Sequence, residues 1–166
     1  MKTSMNFMER ISALERAAEN FYRKQAQLQC DLEAKNVLES IAEEEAHHAD
    51  YILSLAAEPA KVVVFEASAD VAGPVLYPLV DLHEQMARGV FALDSDLEIF
   101  DVALALEKKT VVFYRRLLDA IREPVIRDGI RDVFVKEKGH FGKIRELRKA
   151  RSASPSFYVK PLFTGM

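Results

Sequence analysis

Cysteine is almost absent from this chain: Cys30 is the only one in 166 residues, so no internal disulfide can form. A fold that relies on no disulfide suits a reducing compartment, and the cytoplasm is the expected location. Charge of one sign is not in large excess either. Lys and Arg number 23 against 26 Asp and Glu, a net charge of −3. That balance gives no electrostatic reason to expect nucleic acid or an anionic membrane as a partner. Long hydrophobic runs are also missing. The nearest, Val71 to Leu82, is interrupted by Gly73, Pro74 and Pro78, so no membrane-spanning segment is expected. The opening residues MKTSMNFMER lack the apolar stretch of a secretory signal. What remains is 49% hydrophobic and 30% charged, an ordinary globular composition and enough chain for one domain with a real core.

Against that background one pattern stands out. Glu45-x-x-His48 recurs as Glu137-x-x-His140, and each pair has a glutamate thirty residues upstream, Glu15 and Glu107. The offset is 92 positions in every case: 15 to 107, 45 to 137, 48 to 140. Phe21-Tyr22-Arg23 returns as Phe113-Tyr114-Arg115 at the same offset. The chain reads as two copies of one helical hairpin, with carboxylates and imidazoles repeating in register.

The expected organisation is a bundle over residues 1–151 followed by an extended tail, 152–166. The first hairpin covers 4–57, with helices over about 4–29 and 32–57; Pro59 marks its end. The second covers 95–151. Ser95-Asp-Leu-Glu98 has the form of a capping box, and Pro124 suits the first turn of the last helix. Between them, residues 58–94 form a connector. Lys61-Val-Val-Val-Phe65 suggests a strand or extended segment, and Leu79 to Ala92 a short helix. A helix of some 25 residues is ~37 Å long. A connector of this length can return along it, so the expected topology has one long crossover.

Apolar periodicity decides which charged groups face inward. Leu38, Ile41, Glu45, His48, Ile52 and Leu55 fall at alternating steps of three and four, as do Ile130, Val133, Glu137, His140, Ile144 and Leu147. Met8, Ile11, Glu15, Ala18 and Tyr22 do the same on the first helix, and Phe100, Ala103, Glu107, Thr110 and Tyr114 on the third. The competing pair Glu44 and His47 lies on a polar stripe with Val37, Ser40, Tyr51 and Ser54, and its repeat partners are Lys136 and Gly139. Glu43, Glu44 and His47 are therefore expected in solvent or behind the ligands, and Glu19, whose partner is Val111, outside the inner set. His83 has no glutamate three residues before it and is expected to be exposed. The basic stretch Arg145 to Arg151 reads as a cationic helix end.

A lone Glu-x-x-His on a helix is usually a surface pair. Six such residues in register on inward faces point instead to a metal site. Residues three apart share a helix face, so one glutamate and one histidine can reach the same ion. Four buried carboxylates would each cost several kcal/mol uncompensated, and two divalent cations cancel their charge. A mixed oxygen and nitrogen shell suits iron or manganese and accepts zinc. Metals in paired sites lie ~3.5–4 Å apart, close enough to act on one small molecule. Tyr22 and Tyr114, two turns beyond Glu15 and Glu107, are placed to hydrogen-bond a carboxylate across the bundle.

Glu15…Phe21-Tyr22, Glu45-Ala-His-His48, Glu107…Phe113-Tyr114 and Glu137-Lys-Gly-His140 resemble the ferritin-like domain of rubrerythrins, over about residues 4–151. The resemblance implies an all-α, ferritin-like four-helix bundle. It implies two iron ions per chain, held by Glu15, Glu45, Glu107, Glu137, His48 and His140. The implied activity is reduction of hydrogen peroxide or oxygen, with electrons from an external donor such as a rubredoxin-like protein. Iron oxidation with storage, or a metal-stabilised module without turnover, are the alternatives. Two departures stand out. One cysteine cannot build a rubredoxin iron site, and many rubrerythrins carry a further glutamate where this chain has Thr110. The apolar tail residues Phe157, Tyr158, Val159, Leu162 and Phe163, or the Val62–Phe65 run, suggest packing on a second copy or back onto the bundle, and a homodimer is expected.

Overall fold

The computed structural model describes residues 5–89, 93 and 95–154. Among these residues the protein is all-α, with five helices: α1 (Phe7–Leu28), α2 (Leu32–Leu55), α3 (Pro59–Ala87), α4 (Asp96–Ala120) and α5 (Pro124–Ala153). The third is bent by 81° between Pro59–Ala67 and Ala69–Ala87, giving six straight segments.

Local chemistry sets most of the boundaries. Asn6 accepts from the Glu9 N–H at 2.8 Å while Glu9 accepts from the Asn6 N–H at 2.8 Å, a reciprocal cap that starts α1. Asp31 caps α2 through Ala34, Ser95 caps α4 through Glu98, and Glu123 caps α5 through Ile126. Pro124 occupies the first turn of α5, where its missing N–H costs nothing. Ser152 and Ala153, expected in the tail, continue α5. The tail residues 155–166 lie outside the described residues, as do Val90 to Ala92 of the connector.

The connector differs from its reading. Lys61–Phe65 is not a strand, and Leu79 onward is not a separate short helix; both belong to α3, whose first helical residue is Pro59. The β-branched run Val62–Val64 favours a strand by propensity, but burial on a neighbouring surface overrides it. Phe65, Ser68, Ala72, Leu76, Leu79, His83 and Met86 are all buried, at helical spacing. That stripe packs on α1 and α4. Pro74 and Pro78 lie inside the helix, each leaving one carbonyl without an intrahelical donor. The bend falls at Ser68, whose hydroxyl donates to the Phe65 carbonyl at 2.6 Å. His83, expected to be exposed, is 2% exposed because it is part of this stripe. With 29 residues, α3 carries ~43 Å of helix. No single described helix is long and apolar enough to cross a membrane.

Candidate metal centre

The inward stripes of α1, α2, α4 and α5 pack as their periodicity predicts. Ile11, Tyr22, Leu38, Ile41, Ile52, Phe100, Ala103, Tyr114, Ile130 and Ile144 are at most 1% exposed. In their midst lie Glu15, Glu45, Glu107, Glu137 and His140, none above 2%, and His48 at 7%. Such groups are rarely buried without partners, so where they meet decides what the core can do.

They meet in two overlapping clusters. Glu15, Glu45, His48 and Glu137 offer ligand atoms within 4.8 Å of one another, and so do Glu45, Glu107, Glu137 and His140. Glu45 and Glu137 belong to both clusters; Glu15 and Glu107 belong to one each. This is the pattern expected of two cations that share two carboxylates. The contacts obey a two-fold relation between the hairpins. The Tyr22 hydroxyl donates to Glu107 Oε1, and the Tyr114 hydroxyl to Glu15 Oε1. His48 Nδ1 lies 2.8 Å from Glu137 Oε1, and His140 Nδ1 lies 3.1 Å from Glu45 Oε1. The two imidazoles stack at 5.5 Å between ring centroids. Residues 15 and 22 pair with 114 and 107, so α1 and α4 run in opposite directions; 45 and 48 pair with 140 and 137, so α2 and α5 do too.

Several atoms in this cluster lack partners. Glu15 Oε2, Glu107 Oε2, both oxygens of Glu137, and His140 Nδ1 are buried with no hydrogen bond among the described residues. The short approach of His48 Nδ1 to Glu137 lacks hydrogen-bond alignment, so it leaves Glu137 unsatisfied in that sense. Buried polar atoms are almost always paired. Five lone-pair-bearing atoms converging on one place fit cations better than any partner among the described residues, and the two groups could hold metal ions.

The electrostatics agree. Burial, together with the charges of Glu137 and Glu45, raises the Glu15 carboxyl well above the usual range, and the same causes raise Glu107. Burial also raises Tyr22 and Tyr114, helped by Glu107 and Glu15 respectively. For the imidazoles burial works against protonation but is overcome. Glu137, Glu15 and Glu45 push His48 up to about 12; Glu45 and Glu137 push His140 up to about 12. Burial opposes ionisation of Glu45 as well, yet His140 and His48 hold it below the carboxylate range. Without metal, the centre keeps protons where cations would sit, so metal uptake must displace them.

The flanking residues sort as follows. His47 and Glu43 are exposed. Glu19 is half-buried and paired with Arg16 and Arg23, away from the centre. Glu44 sits behind His140, its Oε2 3.2 Å from Nε2. Thr110 is buried, but its hydroxyl donates to the Leu106 carbonyl at 3.1 Å. His83 donates from Nδ1 to the Leu79 carbonyl at 2.9 Å, and burial lowers its pKa. Sequence reasoning missed the burial of His83. Its place on the stripe with Leu79 and Met86 was the available signal, masked by Pro74 and Pro78. Comparison of the chain with protein-family models, with curated proteins and with solved structures found no match to any of them.

Proposed function

We propose that this chain is a di-iron oxidoreductase of the rubrerythrin type, reducing hydrogen peroxide or oxygen with electrons supplied in trans. The observation that carries the reading is the convergence of Glu15, Glu45, Glu107, Glu137, His48 and His140 on one buried centre with unpartnered donor atoms. The directions of the helices support a ferritin-like bundle, with α1 and α5 antiparallel to α2 and α4 and with α3 as the crossover. A pair of ferrous ions would supply the two electrons that peroxide reduction consumes.

The chain's own residues do the rest. The Tyr22 and Tyr114 hydroxyls hold Oε1 of Glu107 and Glu15, leaving the unpartnered Oε2 of each free for a cation. Glu45 and Glu137, common to both clusters, would contribute to holding both ions. Thr110 spends its hydroxyl on the backbone and adds no ligand. Ile11, Phe100, Ile130 and Ile144 keep bulk water from the centre. A homodimer, an external electron donor and a cytoplasmic location belong to the same proposal; manganese or zinc can replace iron in such a donor set.

Titration of the chain with Fe(II), first without oxygen and then with peroxide, tests the reading. The expected result is two irons bound per chain, oxidised together by peroxide, with repeated turnover only when an external reductant is added. Retention of many irons per chain in air would favour storage instead. Tight binding of two metals with no reaction toward peroxide or oxygen would leave a metal-stabilised module.

A further inference from the structure

The two-fold relation is broken behind the imidazoles. His140 turns Nδ1 toward Glu45 at 3.1 Å and Glu137 at 3.8 Å, while its Nε2 lies 3.2 Å from Glu44 Oε2. Glu44 is itself fixed: its Oε1 accepts from Lys143 Nζ at 2.7 Å. The repeat partner of Glu44, 92 positions on, is Lys136, a residue of opposite charge. His48 correspondingly meets Glu15, Glu45 and Glu137 through Nδ1 alone, at 3.5, 3.3 and 2.8 Å. It lines a cavity of about 340 Å³ whose walls also include Glu44, Tyr51, Asp132, Val133 and Lys136, with Lys136 Nζ 4.0 Å from Glu44 Oε2. The His140 side chain is fully buried and that of His48 is 9% exposed.

We propose that Glu44 is a positioning residue for His140 and makes the two metal positions unequal, tight at His140 and, at His48, labile and open to an added small ligand. The inference rests on the metal reading above. A carboxylate that accepts from one ring N–H fixes the tautomer and the ring's orientation and raises the basicity of the other nitrogen. At His140 that other nitrogen is Nδ1, the one facing the shared carboxylates. Among the described residues His48 has no such support, and its ring borders a cavity large enough for a small anion.

Cobalt(II) titration of the metal-free full chain, followed by its visible spectrum, tests this, with azide as the added ligand. The wild-type chain is expected to take up two cobalt ions in separate steps, with azide altering the spectrum of the second. Mutual repulsion of two cations also separates the steps, so the variants decide. Glu44→Ala is expected to weaken the tighter step by about 10–100-fold, the usual cost of losing such support. Glu44→Gln, which still accepts a hydrogen bond, should lose less. Thermal unfolding of the metal-free variants checks that the bundle is intact. Uptake of two ions with the tighter step unmoved in Glu44→Ala, or azide acting on the first ion, would overturn this inference alone. Failure of the wild-type chain to take up cobalt would overturn the metal reading, and this inference with it.

Discussion

The hairpins α1–α2 and α4–α5 agree at the centre and differ one layer out. In both, a glutamate, a tyrosine two turns later and a Glu-x-x-His pair occupy the same inward stripe. In both, tyrosine reaches across to the other hairpin's glutamate. One layer out, Glu44 is matched in the repeat by Lys136 and His47 by Gly139. Two like cations side by side, as proposed, would impose the same donors on both halves. The layer around them has only to fill space and satisfy its hydrogen bonds, so it is free to diverge. On the proposed reading, that divergence would let two matched donor sets behave differently.

The largest effect should come from removing the repeated imidazoles. His48→Ala and His140→Ala should each lower metal affinity by more than about 100-fold, beyond the usual cost of losing a supporting residue. His47→Ala, one position away but exposed, should leave it unchanged. Metal content after dialysis reads this directly, and equal losses for His47→Ala and His48→Ala would break the assignment of the inner stripe.

A smaller and matched effect is expected at the tyrosines. Tyr22→Phe and Tyr114→Phe each strip a hydrogen bond from a buried carboxyl group, at a cost of about 2 kcal/mol. Urea unfolding of the metal-free protein should show two costs of about the same size. A clear inequality would show that the two-fold relation does not extend to the energetics.

The smallest effect sharpens the outer layer. Gly139, the repeat partner of His47, lies inside α5, exposed, with nothing within 4 Å of where a Cβ would be. Gly139→Ala should therefore stabilise the protein by up to about 1 kcal/mol, the helix-propensity difference. A thermal midpoint that falls would mean that this position serves something other than helix formation.

The 92-residue repeat, the four site-bearing helices and the inward face of each were legible from the chain, because helical periodicity is local: residues three or four apart share a face whatever else the protein does. The positions of Glu15, Glu45, Glu107, Glu137, His48 and His140 on those faces were therefore determined by sequence alone, as were the capping of α4 by Ser95 and the start of α5 at Pro124. Tertiary structure decided the rest. Pro74 and Pro78 read as breakers, yet α3 runs through both because its stripe from Phe65 to Met86 gains a surface on α1 and α4. The same packing buries His83, whose place on the stripe with Leu79 and Met86 was masked by the two prolines. Glu44 finds His140 at a separation of 96 residues and Lys143 at 99. Such a pairing depends on where two helices cross, and a crossing is a property of the packed core rather than of either helix's own residues.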